Sequence, residues 1–492
     1  MPDDLLARLD REFDRRTTAL PARSSAPVSV PPVAAPTTAE PQPPATRQFK
    51  ADRWHALELF IAAQFLWGAL LFVPGAQAFR AVIRALPYVT SALMALAYVR
   101  RVPKLKPPIA ASFLIGALTV MVINLLWPTT QLSAGLAQCV FQATIAAPIF
   151  WAWKAVRDED RLLKVVRLIF LLNVLSAGLG LLQVYYPALF MPPQFSTLGL
   201  QMNGAWVESL TYEGADGRVI IRPPGLTDQP GGAAIAGAMA AVIGLGMTLV
   251  SRDRSRRWFY LLGAMIGLSA LYLTQVRSLL LMCIGAFIVL AAVMFRRGRV
   301  AAAGWLVAGG GALVLTSFLW ATSVGGDSVR ERFTGVAQQG AVQSFKENRG
   351  QFLSYTLGEL FDQYPFGAGV GRWGMMNVYF GDPTDLNSPP IYVEIQLTGW
   401  LLDGGAPMWL FYGGALLTGI LVVLRLATQR LAPGLADLAA ISLALLVFVV
   451  GMSFAGPVFN TQVGILFWFL VSATYGAGHQ LLGRRAWRRR AA

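Results

Sequence analysis

Long apolar runs, separated by short polar segments, recur along most of this chain. A helix needs about 20 mostly apolar residues to cross the hydrocarbon core of a membrane. Twelve runs approach that length, at roughly 55–73, 79–99, 109–127, 134–153, 162–186, 230–250, 258–274, 278–295, 300–322, 406–424, 435–456 and 461–478. The pattern predicts an all-α integral membrane protein with about 12 transmembrane helices.

Composition supports the same class. Of the 492 residues, 55% are hydrophobic and 14% are charged, and the mean hydropathy is +0.52. A soluble domain of this size needs more polar surface than this chain has. An ordinary soluble protein is therefore excluded.

Lysine and arginine predict how the chain is oriented, because basic connections stay on the cytoplasmic side. Clusters of basic residues follow every even-numbered predicted span, at 100–106, 154–167, 252–257, 296–299, 425–430 and 484–490. Both termini are therefore expected in the cytoplasm. The net charge of +15 follows from this rule and from attraction to anionic membrane lipids, so a nucleic acid partner is not needed.

The opposite connections are nearly free of charge. The turns 74–78, 128–133, 275–277 and 457–460 contain one charged residue, Arg277. An arginine on this side either reaches up to lipid headgroups as an anchor or has a specific anionic partner. Both interpretations stay open on charge distribution alone.

The predicted topology divides the chain into seven parts. These are a disordered cytoplasmic tail (1–54), helices 1–5 (55–186), an extracytoplasmic loop (187–229), helices 6–9 (230–322), a large extracytoplasmic loop (323–405), helices 10–12 (406–478) and a basic cytoplasmic tail (479–492). Outer segments as long as 187–229 and 323–405 are usually functional or disordered.

The large loop carries a helical pattern. Its apolar positions recur at helical spacing at Phe352, Leu353, Thr356, Leu357, Leu360 and Phe361. Pro365 ends this amphipathic helix. A second helix is expected from Ser388, a capping residue followed by Pro389, to about Leu402, with Glu394 one turn in. The residues 403–407 then break it before the tenth span.

A glycine-rich run, 367–372, superficially resembles a dinucleotide-binding loop. No parallel strand and helix flank it, so no nicotinamide cofactor is expected. Its backbone either cradles a phosphate beside Arg372 or forms a plain turn. No metal site is expected on the outer side, because the two histidines, His55 and His479, lie at the cytoplasmic ends of spans.

Several of these features together resemble the O-antigen ligase and polymerase superfamily over roughly residues 210–425. They are Arg222 to Gly225 before span six, the stretch LTQVRSLLLM around Arg277, and the large late loop. The loop also has a Pro-x-Gly-x-Gly element at 365–369, and it ends on Asp403 and Gly404.

The resemblance implies an enzyme at the outer face of a bacterial inner membrane. Such an enzyme transfers an oligosaccharide from an undecaprenyl-diphosphate donor to an acceptor hydroxyl, with inversion and without a metal. The ligases carry a histidine at the position that spacing assigns to Glu394. Its absence favours a polysaccharide polymerase over a ligase, and a polymerase pathway implies a flippase and a chain-length regulator as partners.

The chemistry assigns roles to charged residues. Displacing a diphosphate builds negative charge, which fixed guanidiniums stabilise, and Arg222 and Arg277 are the candidates. The attacking hydroxyl benefits from a base, for which Glu394 is the candidate and Asp403 the reserve. Alternatively, Glu394 only favours the positive end of a helix.

Two aromatic residues of the large loop are candidates for binding the substrate alongside Arg372 and Asp403. Tyr392 and Trp400 have ring faces that suit sugars, but aromatic side chains also gather at the headgroup level of membranes. Composition does not separate these alternatives.

A transporter of lipid-linked sugars or of small molecules is the main alternative class, and a non-catalytic assembly partner is another. Carriers usually place titratable residues at mid-membrane and show repeated halves. Here Glu58 and Arg84 are the main charges inside spans, and each lies nearer an end than the centre. No internal repeat is visible, so a transferase is favoured.

Overall fold

The structure is a computed structural model. It describes residues 54–99, 106–192, 210–227, 229, 231–340, 343, 345–382, 384–430 and 432–490. The predicted N-terminal tail (1–54) lies outside the described residues except for Trp54, and so does 193–209 of the first outer loop.

Helices dominate the described part of the chain. The α-helices are α1 Trp54–Leu66, α2 Arg80–Val99, α3 Ile109–Asn124, α4 Leu132–Ala146, α5 Pro148–Ala155, α6 Glu159–Tyr185, α7 Pro187–Phe190, α8 Gly232–Val250, α9 Arg254–Leu273, α10 Arg277–Arg296, α11 Val300–Gln339, α12 Gly374–Phe380, α13 Gln396–Ala427, α14 Pro433–Met452 and α15 Gln462–Arg490. A further helical stretch, 346–363, alternates α- and π-helical turns and is called the loop helix. Short 3₁₀ turns lie at Gly68–Phe72, Ala76–Phe79 and Val458–Asn460.

Membrane-spanning character follows from length and composition. Among the described residues, eight helices are long and apolar enough to cross a membrane. The expected all-α membrane protein is confirmed at that level. Helical segments also lie at the other predicted spans, but α3 has 16 residues and is only about 24 Å long. The count of twelve spans stays a prediction.

The core lies where the helices are apolar all around. In α8 and α14, 83% of the membrane-length window is buried inside the protein. Helix α8 packs on α9 with direct backbone contact, since a Cβ added to Gly237 would lie 2.2 Å from the Gly267 carbonyl oxygen. Small residues allow helices in membranes to approach this closely.

Some of the connections predicted on the outer side contact one another. The Thr129 hydroxyl donates to the Ala368 carbonyl at 2.6 Å, which joins the turn after α3 to the large loop. The Gln396 amide donates to the Ser453 carbonyl at 2.9 Å, at the end of α14. The large loop therefore contacts both of these neighbouring segments.

The basic connections, predicted on the cytoplasmic side, make a separate set of contacts with the helices. The Tyr475 hydroxyl in α15 donates to the Lys106 carbonyl at 3.0 Å. Arg299 donates to Asp437 at the start of α14 at 2.6 Å, and Arg297 donates to the same carboxylate oxygen. The alternation of the two kinds of connection agrees with a multi-pass chain, and the assignment of sides remains a prediction.

The first outer loop contains a small hairpin that the apolar pattern did not reveal. Strand β1 (Thr211–Glu213) pairs antiparallel with β2 (Val219–Ile221), with Tyr212 opposite Ile220. The hairpin is tied to α11, because the Ala215 amide donates to the Val324 carbonyl at 3.1 Å.

Helix α11 runs further than predicted. The ninth span was expected to end near 322, but the helix continues to Gln339, with a break at Gly326 (φ 60°, ψ −149°). Ala215 lies so close that a Cβ at Gly326 would meet its Cα at 2.8 Å. The first part of the predicted large loop is therefore helical, and the break redirects it over the hairpin.

The two helices predicted in the large loop have different outcomes. The first is confirmed, since the loop helix includes all six apolar positions and ends before Pro365. The second was predicted to begin at Ser388 but begins at Gln396. The reason is that the Pro389 carbonyl accepts from Arg372 at 2.8 Å and the Ile391 amide donates to the Arg372 carbonyl at 2.9 Å. The side chain and the backbone of Arg372 thus hold this segment outside any helix.

The predicted break before the tenth span is confirmed at one residue. Gly405 adopts φ 65° and ψ −153°, while Asp403 and Gly404 are helical. A Cβ at Gly405 would lie 2.2 Å from the Pro365 carbonyl oxygen, so only glycine fits this approach of the large loop.

Candidate functional site

The turn before α10 holds Arg277 at the first position of that helix. Gln275, in this turn, has φ 57°, the only positive φ outside glycine among the described residues. Such a conformation costs about 1–3 kcal/mol. Gln275 is 3% exposed, and its side-chain Nε2 has no hydrogen-bond partner among the described residues. A strained turn thus places an unpaired buried donor beside Arg277.

Arg222 follows β2 and is held by backbone hydrogen bonds on both sides. Its amide donates to the Leu210 carbonyl at 2.8 Å, and its carbonyl accepts from Gly231 at 3.3 Å. Within the described part of the chain, its buried Nε has no partner. Burial lowers the pKa of Arg222, because desolvation disfavours the charged form. The neighbouring Tyr212 hydroxyl is also buried without a described partner.

Arg332 brings a third guanidinium to the same place, from α11 beyond the break at Gly326. Its Nε donates to the Gln275 carbonyl at 3.2 Å, and the charges of Arg222 and Arg277 act on it. We call Arg222, Arg277 and Arg332 the arginine cluster. The structure brings the two predicted arginines together around a third that the sequence analysis missed. Its neighbour Arg330 has the same local context, so no sequence signal distinguishes the two.

The arginine cluster has no carboxylate partner among the described residues. The ion pairs in that part of the chain involve other arginines. Like charges held together without a counter-charge disfavour the folded state, and the positive end of the α10 dipole adds to that cost. The arrangement can bind an anion with more than one negative charge, since guanidiniums and a helix N-terminus both recognise phosphate oxygens.

Glu394 lies in the extended segment just before α13. Its carboxylate forms an ion pair with Arg349 of the loop helix. No hydrogen bond or ion pair between described residues joins Glu394 to Arg222 or Arg277. Nearby, Tyr392 is 73% exposed, and its ring centroid lies 6.4 Å from that of Phe352. Tyr392 thus stands at the surface, and Glu394 is partly buried in its ion pair.

Asp403 lies in the interior and is 1% exposed. Its carboxylate accepts from Gln138 Nε2 at 3.0 Å, from the Gly371 amide at 3.2 Å and from Trp373 Nε1 at 3.0 Å. These bonds tie α4, the glycine-rich run and α13 together. Trp400 is likewise buried, and it stacks on Tyr412 with centroids 4.4 Å apart. Asp403 and Trp400 were both predicted to bind substrate, and in this arrangement both hold parts of the protein together.

Arg372 and the glycine-rich run are satisfied by the protein itself. Arg372 Nη1 donates to the Ala368 carbonyl at 2.9 Å. In the run, the Ala368 amide donates to Leu402 at 2.8 Å and the Val370 amide to the Thr130 hydroxyl at 3.1 Å. Amides engaged in this way do not offer a phosphate cradle, so the arrangement favours the plain turn.

The described residues contain no group of three or more histidines, cysteines, aspartates or glutamates that could hold a metal ion. No model of a known protein family matches the chain, and no curated protein matches it.

Proposed function

We propose that the protein is a glycosyltransferase of the bacterial inner membrane that uses an oligosaccharide linked to undecaprenyl diphosphate as its donor. The observation that carries the proposal is the arginine cluster without a described carboxylate partner, at the turn that begins α10. A diphosphate at the membrane surface has the charge and the oxygen geometry that such guanidiniums recognise.

The proposed reaction is an inverting displacement. The acceptor hydroxyl oxygen attacks the anomeric carbon of the donor, and the bond from that carbon to the phosphate oxygen breaks. The electron pair of that bond stays on the departing undecaprenyl diphosphate, where Arg222 and Arg277 stabilise the added charge. Glu394 takes the hydroxyl proton.

The acceptor decides between two versions of the reaction. In a polymerase, the hydroxyl belongs to a second lipid-linked repeat unit, and the product is a longer chain on one lipid. In a ligase, it belongs to a different lipid or to a protein. The carboxylate at position 394, in place of the ligases' histidine, supports the polymerase.

Purified protein supplied with a defined lipid-linked repeat unit tests the class. We expect a ladder of longer glycans, and Arg222→Lys or Arg277→Lys should remove most of it at normal protein levels. Lysine keeps the charge but loses the two-pronged geometry. Arg218→Lys is the matched control, because Arg218 lies in the hairpin just before Arg222 and its side chain is 68% exposed.

Two outcomes would contradict the proposal. One is a wild-type protein that forms no glycosidic bond but moves the lipid-linked unit across sealed vesicles, which would establish the transporter. The other is full activity in both lysine variants, which would return the two arginines to a role as anchors in the headgroup region.

A further inference from the structure

Arg332 joins the arginine cluster from an element that the proposed reaction has not used. The same helix, just before its break at Gly326, contacts the hairpin that precedes Arg222, through the Ala215 amide and the Val324 carbonyl at 3.1 Å. Beyond the break, Arg332 reaches the turn before Arg277, through its own Nε and the Gln275 carbonyl at 3.2 Å. Helix α11 thus contacts both segments that supply the other guanidiniums.

The hydrogen bond to Gln275 uses only one nitrogen of the Arg332 side chain. No described residue accepts a hydrogen bond from its two terminal nitrogens. Those nitrogens carry four N–H donors, and their planar arrangement matches two oxygens of a phosphate. The part of Arg332 that best recognises phosphate is therefore available.

Gln275 adds an independent indication of a ligand. Its side-chain nitrogen is buried, and no described group accepts from it. A buried donor left unpaired costs about 1–3 kcal/mol. The same side chain stands on a strained backbone, at φ 57°. Two unfavourable features in one residue next to three guanidiniums are understandable if a bound anion offsets both.

We infer that Arg332 and the side-chain amide of Gln275 are further diphosphate-binding groups, so that one diphosphate is held by three guanidiniums and an amide from three elements of the fold. The inference rests on the proposed function, because it concerns the same donor. A diphosphate fits better than a monophosphate, since it offers more negative charge and more oxygens to three two-pronged donors.

Binding of a polyprenyl diphosphate to the purified full-length protein in detergent tests the inference. Inorganic pyrophosphate and the matching polyprenyl monophosphate serve as comparison ligands. We expect Arg332→Gln and Arg332→Lys to raise the Kd for the diphosphate at least about tenfold, the effect of losing one charge-assisted interaction. Affinity for the monophosphate should change much less. Pyrophosphate binding will show whether the lipid contributes.

Arg330→Gln is the matched control, because Arg330 lies two positions away on the same helix and is exposed. It should leave all three affinities unchanged. Gln275→Ala should also raise the Kd for the diphosphate, by a smaller factor than Arg332→Gln.

A purely structural role for Arg332 gives a different result. If Arg332 only holds the turn at Gln275, then Arg332→Gln should lower the Tm. It should also raise the Kd values for the diphosphate and the monophosphate by equal factors. That outcome overturns the inference, as does wild-type diphosphate affinity in both Arg332 variants. If the wild-type protein binds no diphosphate, the proposed function fails as well. If only the Arg222 and Arg277 variants lose binding, the proposed function stands without Arg332.

Discussion

The two ends of α10 gather arginines in opposite ways. At its C-terminal end, Arg297 and Arg299 share the carboxylate of Asp437. At its N-terminal end, Arg277 joins Arg222 and Arg332, and no described carboxylate balances them. The helix dipole favours cations at the C-terminal end and disfavours them at the N-terminal end. One helix therefore carries a partly compensated charge cluster at its C-terminal end and, among the described residues, an uncompensated one at its N-terminal end.

This difference distinguishes the two groups of arginines more clearly than burial or sequence position does. At the C-terminal end two guanidiniums share one carboxylate, so one net positive charge is left and the counter-charge comes from within the protein. The arginine cluster keeps an excess of positive charge in a partly buried place. An excess of this kind is a reason to expect an external anion at the site.

Asp437→Asn should have the largest effect on stability. The side chain of Arg297 is 3% exposed, so it would lose its counter-charge without gaining water. Removing one partner of a buried pair costs about 3–5 kcal/mol. We expect a strongly lowered Tm in detergent and little protein in the membrane. Asp216→Asn, in an exposed pair with Arg218, should leave the Tm unchanged. Wild-type stability in Asp437→Asn would remove the distinction between the two ends.

Gln275→Glu should give the N-terminal end of α10 an internal counter-charge, as Asp437 does at its C-terminal end. A carboxylate there offers the three guanidiniums an internal counter-charge, and a hydrogen bond to a charged group contributes about 1.5–3 kcal/mol. We expect a higher Tm in the ligand-free protein and loss of diphosphate binding in the same preparation. Gln351→Glu, on an exposed position of the loop helix, is the control. Unchanged diphosphate affinity in Gln275→Glu would show that the arginine cluster is not the binding site.

The pair of Glu394 and Arg349 should show the smallest stability effect. Their side chains are 20% and 36% exposed, and such pairs contribute at most about 1 kcal/mol. If Glu394 is the base, Glu394→Gln should lower turnover at least about tenfold, while Arg349→Gln changes it far less. Equal small losses in both variants would indicate that the pair only attaches the loop helix to the segment before α13.

The sequence predicted what depends on local pattern. Helices occupy every predicted apolar run, because burial of apolar side chains in lipid leaves a long helix as the main way to satisfy the backbone. The loop helix and the break near Gly405 were also predictable, since periodicity and glycine placement determine them. Arg222 and Arg277 were selected from charge distribution and resemblance, and the structure places them in one cluster.

Tertiary contacts determined what the sequence did not predict. The signals at Ser388 and Pro389 favour a helix start, but the bond from Arg372 to the Pro389 carbonyl draws that segment into an extended form. The role of Asp403 as an internal tie depends on Gln138, which lies 265 positions earlier. Arg332 and Arg330 differ only in what the folded chain places beside them.

The contact between Gly237 and Gly267 sets how closely α8 and α9 approach each other. Helix α9 leads into the strained turn at Gln275, and α8 follows the segment that carries Arg222. A single methyl group at either glycine would push the two backbones apart. We therefore expect a variant at either glycine to disturb the spacing of the guanidiniums without changing any side chain of the arginine cluster.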